Sequence, residues 1–160
     1  MDWLFPWLLF LHVLGAIVAF GPTFTFPLVG AMGGREPQHA NFATRVSRAI
    51  GSRLVLPIGI TLPITGVGLI LLTGRDLSSR ANWWLGIAIV LYVIAYGYSF
   101  FVQGRLVERV VALTSAPPPP GASGPPPELP PLVRRIQRGG MATAILLVAI
   151  IFLMVVKPQF

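Results

Sequence analysis

The sequence predicts an all-α, four-helix transmembrane bundle, and three observations predict it. Hydrophobic residues make up 54% of the chain and charged ones only 11%, against about a quarter charged in a soluble domain. Four apolar stretches approach the ~20 residues that a membrane helix needs. The basic residues stand at the ends of these stretches, where they orient a chain in the bilayer.

The first stretch runs from about Trp3 to Gly30 and is interrupted by Pro22 and Pro27. It exceeds the length of one span, so a tilt or a kink near the prolines is expected. Asp2 precedes it where a secretory signal would carry basic residues, and no small-residue cleavage pattern follows, so it reads as a retained span. Gly33, Gly34, Glu36 and Pro37 mark a turn. Residues 38–53 set Arg45, Arg48 and Arg53 among Phe42, Val46, Ala49 and Ile50, an amphipathic pattern suited to the membrane interface. The second span covers about 54–73 and is ended by Gly74. The third covers about 83–102 and opens at Trp83 and Trp84, which suit the headgroup belt. A helical extension is expected through Arg105, Glu108 and Arg109 to about Leu113. Residues 117–131 hold nine prolines and predict an extended cytoplasmic linker. The fourth span is expected over 141–156, closed by Lys157 and Pro158. Everything belongs to one membrane domain, residues 1–160.

Charge then sets the orientation. The first loop (Arg35, Arg45, Arg48, Arg53) and the third region (Arg105, Arg109, Arg134, Arg135, Arg138) hold nine of the 12 Lys and Arg residues. The positive-inside rule puts both regions in the cytoplasm and both termini outside. A net charge of +7 would suit nucleic acid on a soluble fold, but here the cations flank apolar segments, so the expected partner is the lipid bilayer and not nucleic acid. Small residues on three spans (Gly15, Ala16 and Ala19; Gly59, Gly66 and Gly68; Ala142, Ala144 and Ala149) predict close helix packing. They leave open whether other membrane subunits or a second copy pack alongside.

Chemistry has few candidates. The chain has no cysteine, which removes thiolate catalysis and zinc-thiolate sites, and no Asp, Glu, Lys or Arg falls within the four apolar cores. Proton relays and ion paths use such residues, as do acid–base pairs, so no catalytic residue and no metal set is predicted. The one ionisable group at depth is His12, about 13 Å along the helix from Trp3. Its helical neighbours Leu8, Gly15, Ala16 and Ala19 turn it toward the bundle, either as a structural histidine bonded to a neighbouring helix or as an axial ligand for haem iron. The other histidine, His39, lies in the first loop, beyond a helix end at Gly30 that is itself roughly 27 Å along the helix from His12. One chain therefore cannot form a bis-histidine haem unless the loop folds back into the membrane. On span three, Tyr92, Tyr96, Ser99 and Gln103 fall at spacings of four, three and four residues and share a face. That stripe predicts helix–helix contacts or a ligand pocket, with Thr61 and Thr65 as partners. Pro57 and Pro63 on the same second span leave backbone carbonyls without donors.

These residues carry a resemblance. LLFLHVLGAIVAFG (Leu8 to Gly21), RVSRAIGSRLVLP (Arg45 to Pro57), WWL (Trp83 to Leu85) and FLMVVKP (Phe152 to Pro158) resemble a superfamily of four-helix bacterial membrane proteins. It includes the domain of unknown function 2269, the HemJ-type protoporphyrinogen oxidases and the copper-resistance D domain. The resemblance is nearest to domain of unknown function 2269 and implies four helices in a bacterial inner membrane, with no assigned activity. Similarity to the HemJ-type enzymes implies haem b on His12. Those enzymes also carry a lysine where this chain has Gly86, and an arginine and a second histidine where it reads FPLVGAM (Phe26 to Met32). The expected function is a non-catalytic accessory subunit or scaffold of a membrane complex. The alternatives are a haem-b-binding protein through His12 and a copper-handling protein.

Overall fold

A computed structural model describes residues 3–115 and 124–158, and within them the chain forms four long helical rods with no strand. The first is α1, Leu4–Arg35. The second joins α2 (Ala40–Ile50) to α3 (Leu56–Thr73) through a π-helical turn, Gly51–Val55. The third joins α4 (Trp83–Tyr98) to α5 (Gly104–Ser115) through a second π-helical turn, Ser99–Gln103. The fourth is α6, Leu129–Val156. All four rods are long and apolar enough to cross a membrane. Their 28 to 36 residues correspond to about 42–54 Å, well beyond a ~30 Å hydrocarbon core.

The rods therefore overrun the bilayer, mostly at their arginine-rich end, and this lengthens several of the expected elements. The first helix continues past Gly30 to Arg35, with Pro22 and Pro27 inside it. The amphipathic segment and the second span are one continuous rod, because Arg45, Arg48 and Arg53 lie on exposed positions that leave the helix intact. The fourth helix starts at Leu129 and not at Met141. Pro130 and Pro131 stand in its first turn, where a missing N–H costs nothing because that N–H has no intrahelical acceptor. The proline linker expected over 117–131 thus gives way to helix at its end, and its residues 117–123 lie outside the described ones.

Within the bundle α1 packs on α3, α4 on α6, and α1 on α6, while α2 is sandwiched between α1 and α5. Ala88, Leu147 and Ile150 form the buried centre with Phe20, Leu91 and Leu153 against them. The opposite faces are apolar and open: Leu71 is 75% exposed and Ile145 64%, as surfaces facing lipid should be. Small residues set the approach distances. A methyl added at Gly15 would stand 3.3 Å from the Leu62 side chain, and one at Gly59 only 2.6 Å from the Tyr96 ring.

Between α3 and α4 the chain turns tightly. Gly74 takes the left-handed conformation (φ 60) and the Arg75 N–H returns to the Ile70 carbonyl at 3.2 Å, a Schellman-type stop. Trp84 is buried beneath this turn, donating Nε1–H to the Ala81 carbonyl at 3.1 Å with the Arg75 guanidinium 5.7 Å from its ring; Trp83 keeps the more exposed place. The Asp76 carboxylate accepts from the Ser78 N–H and hydroxyl at 2.9 and 2.7 Å, and these bonds hold it below the usual carboxylate range.

Because the Tyr96 ring lies against Gly59, Gly59→Ala should force that ring aside. We expect a loss of about 1–3 kcal/mol, read as a lower midpoint in detergent-based unfolding. Gly86→Ala, with open space at its Cβ position, should leave the midpoint unchanged.

Candidate functional site

The polar groups of the spans gather in two places. The larger is a central chamber of about 30 Å³ where the helices meet, lined in part by Thr23, Gly59, Tyr92, Tyr96, Ser99 and Thr143. Such a volume admits about one water molecule. Tyr92 donates to the Gly59 carbonyl at 2.6 Å and Tyr96 to the Leu56 carbonyl at 2.9 Å, with the two rings stacked at 5.8 Å.

The two bonds are not equivalent. In a helix the Gly59 carbonyl would accept from the N–H of residue 63, but residue 63 is proline and has none. The Tyr92 hydroxyl supplies the missing donor from another helix. The Leu56 carbonyl, four residues before Ile60, still has a backbone donor in reach and takes Tyr96 as a second one. Ser99 and Thr143 turn back onto their own helices, to the carbonyls of Ala95 at 2.8 Å and Gly139 at 2.9 Å.

The stripe predicted on span three is thus divided. Tyr92 and Tyr96 face α3, whereas Gln103 donates Nε2–H to the Ile136 carbonyl of α6 at 3.0 Å. The π-helical turn Ser99–Gln103 inserts an extra residue and swings the stripe between neighbours. The Gln103 Oε1 is buried without a partner among the described residues. It lies beside Gly139, whose missing side chain leaves room for the Tyr98 hydroxyl. Thr61 and Thr65 do not partner this stripe. Thr61 donates to the Ile58 carbonyl at 2.7 Å, and the tyrosines reach backbone carbonyls of α3 instead; for Tyr92 that carbonyl is the one freed by proline, a strong acceptor site in lipid.

Thr65 belongs to the second place, the seam of α1 and α3. His12 is half-buried there, with Nδ1 2.8 Å from Thr65 Oγ1 and Cε1 3.4 Å from the position a Gly66 side chain would take. The Thr65 hydroxyl also lies 2.9 Å from the Thr61 carbonyl. If the Thr65 hydrogen goes to that carbonyl, the Thr65 oxygen would accept from His12 Nδ1–H, the tautomer that leaves a lone pair on Nε2. His39 is far off, on the turn after α1, 3.9 Å from the Glu36 carboxylate. Among the described residues no three His, Cys, Asp or Glu side chains are grouped to hold a metal.

Gly59 was legible as a packing glycine but not as the acceptor of Tyr92, and Tyr98 and Gly139 were not legible at all. Pro63, four residues after Gly59, was a readable signal for the first; nothing in the spacing announced the π-helical turn that brings Tyr98 to Gly139.

A family model described as "Predicted integral membrane protein (DUF2269)" matches residues 6–158. No curated protein matches the chain, and no solved structure does.

Removing the Tyr92 hydroxyl strands a carbonyl in lipid, whereas removing that of Tyr96 does not. Tyr92→Phe should therefore cost about 1–2 kcal/mol and Tyr96→Phe about 0.5 kcal/mol, measured as unfolding free energies in mixed micelles.

Proposed function

The chain belongs to the DUF2269 family of predicted integral membrane proteins, and we propose that it serves in a bacterial inner membrane as a non-catalytic scaffold or accessory subunit. The observation that carries this reading is the central chamber. It is of one-water size, and four of the hydroxyls on it are engaged with backbone carbonyls. A substrate needs a cleft several times larger than this chamber. The groove of about 410 Å³ between α1 and α2 has that size, but it lies at the charged end and is lined mostly by apolar residues such as Val29, Met32, Phe42 and Val46. Within the spans an acid or base would need a free proton-carrying group. What the fold offers a neighbour is its apolar outer faces and its charged end. Nine arginines gather there on α1, α2, the π-helical turn after α2, α5 and α6, which supports a cytoplasmic placement of that end and external termini.

A second reading takes His12 as a haem ligand, favoured by its depth in the span and by Nδ1 anchored 2.8 Å from Thr65 Oγ1. The residues fit the group poorly within one chain. His39 lies at the opposite end of α1, and neither the central chamber nor the groove between α1 and α2 includes His12. Such a haem would need His12 with an open site, a methionine (Met154 or Met141) or a second subunit. Copper handling gains no support from the pair either, for the same separation.

One preparation tests these readings. Protein purified in detergent from haem-replete cells should show no Soret band with or without dithionite, and should migrate in a native gel with a stoichiometric membrane partner. A Soret band lost in His12→Ala would overturn the scaffold reading. Orientation is tested separately, and the absence of native cysteine makes it clean. In intact cells, an impermeant maleimide should label Ser78→Cys and leave Ser115→Cys unlabelled; the reverse pattern would invert the topology.

A further inference from the structure

Two contacts fix how α5 stands against the start of α6. Gln103 Nε2 donates to the Ile136 carbonyl at 3.0 Å, and two turns further on Arg109 Nη2 meets Glu128 Oε2 at 2.9 Å. In this antiparallel pair they define one register, with Arg105 level with Val133 and Arg134. Arg134 and Arg138 are four residues apart and share a face of α6, and Arg135 adjoins it on the side toward α5. All four arginines are exposed. The acids that could neutralise them are engaged elsewhere: Glu108 with Arg48 at 3.2 Å and Glu128 with Arg109. This register brings four exposed arginines to one end of the α5–α6 pair, and none of them takes part in an ion pair among the described residues.

The same strip continues toward the membrane as bare hydrocarbon. Met141 and Ile145, three and seven residues beyond Arg138 on the same face, are 66% and 64% exposed, and Phe101 on the adjoining rod is 60% exposed. Cations with no counter-ion directly above uncovered apolar side chains call for one complementary shape, an anion joined to hydrocarbon chains.

We propose that Arg105, Arg134, Arg135 and Arg138 hold the phosphate of an anionic phospholipid whose acyl chains lie along Met141, Ile145 and Phe101. Guanidinium forks bind phosphate oxygens in pairs, and basic pockets at the cytoplasmic ends of membrane helices suit acidic headgroups. A zwitterionic lipid brings its own cation into the cluster and forfeits most of that attraction. Free phosphate gains nothing from the apolar strip. The inference rests on the membrane-spanning fold and stands or falls independently of the scaffold reading.

The test uses the full chain, delipidated in mild detergent and titrated with phosphatidylglycerol, phosphatidylcholine or inorganic phosphate, with bound mass read by native mass spectrometry. Phosphatidylglycerol should be retained in preference to phosphatidylcholine and should resist displacement by millimolar phosphate. R135Q/R138Q should weaken its retention by about 10- to 30-fold, while R75Q/R80Q at the opposite end should leave it unchanged. Thermal unfolding of lipid-free samples checks that both variants fold, and Arg134→Gln, at the most outward position, serves if the first does not. Equal retention of the two lipids, equal loss in the two double variants, full displacement by phosphate, or a protein in place of the lipid would each overturn the proposal.

Discussion

In hydrocarbon a backbone carbonyl without a donor has no water to turn to, and this structure is organised around one such carbonyl. Pro63 removes the N–H that would have served Gly59, in the middle of a membrane-spanning rod. The absence of a side chain at Gly59 lets α4 come close enough for Tyr92 to donate across the gap at 2.6 Å, with the Tyr96 ring lying over the same glycine. Proline, glycine and tyrosine act here as one unit. Without the proline the tyrosine hydroxyl would lack its best acceptor, and with a larger residue at 59 it could not reach. The contact ties α3 to α4, a pair whose backbones otherwise stay further apart than α1 and α3 or α4 and α6.

The remaining polar groups of the spans follow the same constraint by the shortest route. Ser99, Thr61 and Thr143 bond carbonyls three or four residues back on their own helices, which satisfies the hydroxyl without a neighbour. The consequence for function is that the interior holds polar atoms but little unspent hydrogen-bonding capacity. Two groups depart from this: Gln103 Oε1 is buried without a partner among the described residues, and Thr65 orients His12 through Nδ1 alone. A group so placed can serve as packing or as a ligand. The difference is decided by what stands opposite Nε2, which a neighbouring subunit could supply and the described residues of this chain do not group to supply.

The spans and their number were legible because apolar length and arginine position are direct consequences of bilayer thickness and charge. The shared face of Tyr92 and Tyr96 was legible for a similar reason, since a four-residue spacing needs no tertiary information. The partners of those tyrosines were not. Side-chain inventories suggested Thr61 and Thr65, whereas the actual acceptors are main-chain atoms that carry no residue letter; only the position of Pro63 relative to Gly59 hinted at one of them. The π-helical turns were equally hidden. They reflect how a rod that is fully apolar below and amphipathic above re-aims its inward face, so that Tyr96 can face α3 while Gln103 faces α6. The helical start of α6 was obscured by composition, because a proline count does not distinguish a linker from the first turn of a helix.

The two π-helical turns also mark where the molecule changes character. Below them, apolar side chains face lipid and the only ionisable imidazole is half-enclosed. Above them, α2 and α5 pack on each other with the Arg48–Glu108 pair at their edge and Asn41 bonded to Thr114 at 2.8 Å. An exposed ion pair of this kind contributes little stability, about 0–1 kcal/mol. The close fit of Gly33 against Ala43, where an added methyl would stand at 3.1 Å, is the firmer tie between α1 and α2. The exposed charges in excess of these pairs are therefore not needed to hold the helices together. They are free to act outward on the lipid surface beside them, and it is at this collar, more than in the quiet interior, that the sequence concentrates its capacity to recognise anything.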